Sequence, residues 1–185
     1  MPDTIIQFDT VIKQCRDVFQ KKLQDYGPSW RIMRPESITD QLLIKAKRIR
    51  SLEIKKASKI NEGILPEFTG IVNYGVIGLI QLAHGFADQP DITRPKAIEL
   101  YDRFLTATKE LMYAKNHDYD EAWRLMRISS YTDLILTKLN RIKEIEDKDG
   151  KVSFSEGIDT NYQDIINYAL FGLIKLTFES RKEEQ

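Results

Sequence analysis

The stretch "DYDEAWRLMR" (118–127) repeats, with few changes, "DYGPSWRIMR" (25–34), and that echo decides how the chain is read. With a shift of 93, residues 25–53 align with 118–146, and 14 of the 29 positions are identical. The identities include Asp25/Asp118, Tyr26/Tyr119, Trp30/Trp123, Arg31/Arg124, Lys45/Lys138, Arg48/Arg141 and Glu53/Glu146. One inserted residue moves the shift to 94, and "NYGVIGLIQL" (73–82) then faces "NYALFGLIKL" (167–176). Upstream, Phe8-Asp9 matches Tyr101-Asp102 and Lys22 matches Lys115. Three segments agreeing in order make this an internal duplication, which sets the architecture before any single residue does.

Each copy reads as three helices. In the first, 4–24 carries Ile5, Phe8, Val11, Ile12, Cys15, Val18 and Phe19 on one stripe, the spacing of an amphipathic helix. Gly27-Pro28 and Pro35 punctuate a loop over 25–37. A second helix starts near Thr39 or Asp40 and runs into the late fifties, and a third begins at Leu65-Pro66. The second copy repeats the plan over 96–116, 131–147 and 158–180, with Thr93 and Pro95 as a helix start. No segment alternates as a strand does. The reading is all-α: a tandem three-helix unit, 1–87 and 96–185 joined by a linker at 88–95, packed as one pseudo-two-fold helical bundle. Gly78 and Gly172 share one place in the last helix, where glycine costs about 1 kcal/mol. Close helix–helix contact there accounts for them; neutral tolerance is the alternative.

Composition narrows the function. The 185 residues are 42% apolar and 30% charged with zero formal net charge, which suits a folded domain and gives no strong signal for nucleic acid. The lone Cys15 cannot form an intrachain disulfide and reads as a small core residue. Neither a signal peptide nor a membrane span is apparent, so a cytoplasmic protein is expected. There is no glycine-rich phosphate loop, dinucleotide fingerprint or nucleophilic triad.

Three groups of residues could carry chemistry. Tyr119 and Trp123, at i and i+4, would share a face if their loop coils, and beside Arg124 and Arg127 they could sandwich a base near phosphate. On the residues alone the favoured alternative is that the aromatics plug the loop into the core and the arginines are surface charges, since aromatics mostly bury area. Lys138 and Arg141, at i and i+3, suit an anion, although solvated helix faces look the same. Glu156, Asp159 and Asp164 cluster at the start of the last helix, where carboxylates could hold Mg²⁺, with Asn167 on the face of Asp164 and Tyr168 one turn on. Complementing the helix dipole explains Asp159 well and Asp164 less well. In the first copy Leu65 replaces Asp159 and Gly70 replaces Asp164, so the second half is the expected active one.

The runs "KNHDYDEAWR", "DLILTKLNRIKEIE" and "EGIDTNYQDIINYALFGLIKL" resemble the nucleotide modification associated domain 1 family. That family has a Lys-x-x-Asp-Tyr-Gly loop, a Lys-x-x-Arg helix and a closing Asp-x-x-Asn-Tyr helix. Lys115, Asp118, Tyr119, Lys138, Arg141, Glu156, Asp164, Asn167 and Tyr168 carry the resemblance, with Asp120 in the glycine's place, where the first half has Gly27. The layout is also similar to all-α nucleoside triphosphate pyrophosphohydrolases of the MazG and dimeric dUTPase type, which bind Mg²⁺ through E-x-x-E and E-x-x-D helices. Here Lys138-x-x-Arg141 and Asn161-x-x-Asp164 stand where such acids are expected.

The resemblance implies a nucleotide-binding protein and a Mg²⁺-dependent nucleotide phosphohydrolase as its catalytic form; a homodimer is a separate option. Asp164 and Glu156 would be catalytic, with Asp159 as a further metal ligand. Lys115, Asp118, Tyr119, Trp123, Lys138, Arg141, Asn167 and Tyr168 would bind substrate. The competing reading is a non-catalytic interaction module whose repeated motifs are structural.

Overall fold

In the computed structural model, residues 2–55, 63–149 and 157–179 are described. Six helices account for nearly all of them: α1 (Pro2–Tyr26), α2 (Pro35–Lys55), α3 (Ile64–His84), α4 (Arg94–Tyr119), α5 (Ile128–Asp147) and α6 (Ile158–Ile174). There is no strand among the described residues, and α6 runs on into a π-helical turn at Lys175–Glu179. Short 3₁₀ turns, Ser29–Ile32 and Ala122–Leu125, join the first and second helices of each repeat. No described helix is long and apolar enough to cross a membrane.

The apolar runs of α3 and α6 leave few polar faces, and these two helices form the middle layer, packed on each other. α2 and α5 cover one side, and α1 and α4 cross the other. Gly78 and Gly172 lie where the middle helices meet, and each faces an aromatic ring of the other repeat. A Cβ at Gly78 would stand 2.6 Å from the ring of Tyr162, and one at Gly172 would stand 3.1 Å from that of Phe68. Phe68 and Tyr162 are themselves pseudo-equivalent, so the contact is isologous, as a two-fold requires.

Polar pairs follow the same two-fold. Arg16–Asp102 at 2.7 Å and Lys109–Asp9 at 3.0 Å join α1 to α4 through equivalent residues. Arg50–Asp133 and Lys143–Asp40 do so between α2 and α5. Thr39 donates to Glu146 at 2.7 Å, and Thr132 is bonded to Glu53. Burial raises the carboxyls of Glu53 and Glu146 above the ordinary carboxylate range, and those threonine bonds partly offset it.

The helix ends differ from the sequence expectation. α2 begins at Pro35, several residues early, because proline fits the first helical turn and here opens the helix instead of breaking the chain before it. α1 reaches Tyr26 and α4 reaches Tyr119, so each connection shortens to eight residues, 27–34 and 120–127, around its 3₁₀ turn. Gly27 turns the chain out of α1 at φ +62°, the left-handed region open to glycine. In the second copy Asp120 and Glu121 adopt it instead, at φ 48° and 56°. Cys15 is fully buried, and desolvation pushes its thiol up to about 12.

Candidate functional site

The duplicated loop is locked down by the last helix of its own repeat. Gln81 donates its amide to the carbonyls of Trp30, Arg31 and Met33, and at the equivalent place Lys175 donates to the carbonyls of Arg124 and Met126. Arg31, only 4% exposed, bonds Gln81, the Gly85 carbonyl and Asp91. Arg124 reaches Thr4 and Gln7 of α1 and lies over the Trp123 ring. Both arginines therefore act inside the scaffold.

The two aromatics of the loop part company. Tyr119 ends α4 and is 71% exposed; Trp123 is buried in the 3₁₀ turn. The helix stops between them at Asp120, so they do not share the face that an unbroken helix would give. Trp123 stacks on Phe171 of α6, with ring centroids 4.4 Å apart and planes 8° from parallel.

Asp164 lies under two lysines. Its oxygens are 2.7 Å from Lys115 Nζ and 2.9 Å from Lys138 Nζ. Arg141, expected beside Lys138 on an anion, pairs with Glu144 at 3.1 Å. Asp118 is exposed, 3.3 Å from His117. Asp159 is exposed in the first turn of α6, while Glu156 lies outside the described residues. Among those residues no group of three or more His, Cys, Asp or Glu side chains is placed to hold a metal ion. The donor set of Asp164 does not fit Mg²⁺, because a dication there would face two ammonium groups already bound to the carboxylate.

Asn167 donates to the Thr108 carbonyl at 3.2 Å, and its own oxygen is buried without a partner. Its counterpart Asn73 is bonded at both ends, donating to the Cys15 carbonyl at 3.0 Å and accepting from Tyr101 at 2.7 Å. Phe8 stands where Tyr101 stands in the other copy and has no hydroxyl to offer. Tyr168 packs edge-on near Phe171.

A cavity of about 850 Å³ opens in the first repeat, between α1, the loop, α2 and α3. Phe19, Trp30, Met33 and Ile77 give it an apolar wall, and Tyr26, 73% exposed, stands at its edge. Lys22 and Lys45 are the only charged side chains lining it among the described residues. Lys45 has Glu67 at 3.6 Å, but Glu67 is held more closely by Arg48 at 2.8 Å.

Lys22, Tyr26, Trp30, Lys45, Leu65, Gly70, Asn73 and Tyr74 line this cavity. They are the counterparts of Lys115, Tyr119, Trp123, Lys138, Asp159, Asp164, Asn167 and Tyr168. Most of the positions expected in the second repeat thus have counterparts around a cavity in the first, while Asp25 and Arg48, the counterparts of Asp118 and Arg141, do not line it. Two of the lining residues are smaller than their counterparts: Ile77 stands for Phe171, and Gly70 for Asp164.

A volume of this size falls within the usual range of ligand pockets. Apolar walls with cationic side chains suit a ligand carrying both a ring and an anion.

Such a helical scaffold, with its duplicated Lys-x-x-Asp-Tyr loop and Lys-x-x-Arg helix, belongs to a class of small two-repeat, all-α domains. The family model for nucleotide modification associated domain 1 matches residues 22–82 and again 115–176. The chain belongs to that family, in two copies. No curated protein and no solved structure matches it significantly.

Proposed function

We propose that the protein binds a nucleotide in the cavity of its first repeat. The single observation that carries this reading is the cavity itself: about 850 Å³, apolar on its inner wall, with Lys22 and Lys45 as its charged lining. The name of its family, nucleotide modification associated domain 1, supports a nucleotide as the ligand class. Tyr26 and Trp30 would meet the base, since aromatic faces accept any base by stacking. Lys22 and Lys45 would meet phosphate as point charges on flexible stems.

Hydrolysis through a Mg²⁺-bound water at Asp164, with Glu156 and Asp159, is the finer form of the sequence reading. The lysines on Asp164 argue against it, so binding is the activity put forward. A thermal-shift screen of nucleoside mono-, di- and triphosphates, with and without Mg²⁺, tests it, because a ligand of the folded state raises apparent stability. A saturable rise that Lys22→Gln and Lys45→Gln weaken supports the reading. No shift with any nucleotide at millimolar concentration sinks it and favours an interaction module.

A further inference from the structure

The duplication lets one repeat serve as a template for the other. In the second repeat Phe171 lies flat on Trp123, with centroids 4.4 Å apart. Two turns earlier on the same face of α6, Asp164 is held by Lys115 and Lys138 at 2.7 and 2.9 Å. Ring and carboxylate both belong to the chain. In the first repeat the same places hold Ile77 and Gly70, and both line the cavity with Trp30, Lys22 and Lys45. A Cβ at Gly70 would stand 2.8 Å from Lys45 Cε, so the lysine stem lies across bare backbone where the other repeat has a carboxylate.

We infer that Phe171 and Asp164 stand in, within the second repeat, for the two ends of the ligand that the first repeat binds. One end is a planar ring against Trp30. The other is an anion between Lys22 and Lys45, beside Gly70. Seven residues of helix separate the two plugs, an axial rise of about 10 Å. An anion that far along the helix from the ring suits a chain of two or three phosphates better than a single one. The ligand class is therefore a nucleoside di- or triphosphate, bound once per chain, and the second repeat is occluded by its own side chains. This rests on the nucleotide reading above and adds to it the phosphate number, the stoichiometry and the two residues that decide them.

Isothermal titration of the full chain with adenosine, guanosine, cytidine and thymidine and their mono-, di- and triphosphates tests it. Four proteins are compared: the natural chain, Gly70→Asp, Ile77→Phe, and the double variant Asp164→Gly/Phe171→Ile. The expected result is one site in the natural chain, with a di- or triphosphate bound at least tenfold more tightly than its monophosphate. Gly70→Asp weakens the polyphosphate tenfold or more and leaves the nucleoside unchanged, while Ile77→Phe weakens both.

The double variant, which copies the open repeat into the closed one, raises the stoichiometry toward two. Lys45 can swing off Gly70 as a flexible side chain, and the exposed Lys22→Gln is a second variant that removes the same anion contact without touching the core. If a nucleotide binds but the monophosphate is as tight as the triphosphate, the inference is overturned and the nucleotide reading stands. The same holds if neither Gly70→Asp nor Lys22→Gln weakens the polyphosphate. If no nucleotide binds the natural chain, the nucleotide reading falls and the inference with it.

Discussion

Gly78→Ala and Gly172→Ala are the same substitution at pseudo-equivalent places, and the structure predicts different outcomes. Alanine is about 1 kcal/mol better than glycine inside a helix, so with nothing nearby both changes would stabilise. At Gly78 the new methyl would stand 2.6 Å from one ring carbon of Tyr162 and 3.0 Å from two others. That ring is fully buried and its hydroxyl is tied to Thr39 at 2.6 Å, so it has little freedom to yield. Overpacking of this kind costs about 1–3 kcal/mol, leaving a net loss on the order of 1 kcal/mol after the helix gain. At Gly172 the nearest atoms, the far end of the Phe68 ring, are 3.1–3.3 Å away. A shift of a few tenths of an ångström relieves them, and the net effect stays within about 0.5 kcal/mol.

For a chain of this size, 1 kcal/mol corresponds to about 2–4 °C in Tm. Urea unfolding, with the slope checked for constancy, gives the difference directly. A Gly78→Ala protein as stable as Gly172→Ala, or more stable than the natural one, would refute the close approach of α3 and α6 described above.

Replacing Arg31 by Met leaves Gln81 and the Gly85 carbonyl without their buried donor, and unfolding should become easier by about 2–3 kcal/mol, measured by denaturant titration. The carboxyls of Glu53 and Glu146 lie above their ordinary range, chiefly through burial, so the folded chain holds protons there that the unfolded chain has released. Their contribution is therefore most favourable at acid pH and is lost as pH rises from the ordinary carboxylate range through the raised folded values. Glu53→Gln and Glu146→Gln should each raise Tm at neutral pH, with the gain shrinking on acidification; a constant gain would contradict this cause. Asp164→Asn weakens two ion pairs whose lysines can rehydrate, and should cost about 1 kcal/mol or less. Mg²⁺ alone should leave the Tm of the natural chain unchanged, and a specific rise that Asp164→Asn abolishes would show the donor-set argument to be wrong.

Much of the fold was legible because duplication doubled each weak signal. The glycines at 78 and 172 pointed to close helix contact, and the two rings meet them. Helix ends were less legible, since Pro35 is equally a breaker and a first-turn residue. The Tyr119–Trp123 pairing failed as a shared face because Asp120 and Glu121 adopt left-handed backbone, which no residue pattern there demanded. The candidate site was half legible. The family motif picks out some of the lining positions, Lys22, Tyr26, Lys45, Asn73 and Tyr74 among them, but it drew attention to the acidic copy. Asp164 there is neutralised by Lys115 and Lys138, and both reach it only once α4, α5 and α6 are packed. The signal that located the cavity was in the sequence as a difference: Gly70 against Asp164 and Ile77 against Phe171, two exchanges to smaller side chains on one helix face.

The chain has two tryptophans, one in each repeat, and this allows the central claim to be tested by fluorescence. Trp123→Phe leaves Trp30 as the only indole, and Trp30→Phe leaves Trp123. Titrated with the nucleoside triphosphate that binds best, the Trp123→Phe protein should show saturable quenching, as a base meets Trp30. The Trp30→Phe protein should show none, because Phe171 already covers Trp123. Quenching of Trp123 with no response from Trp30 would place the site in the second repeat and contradict the account.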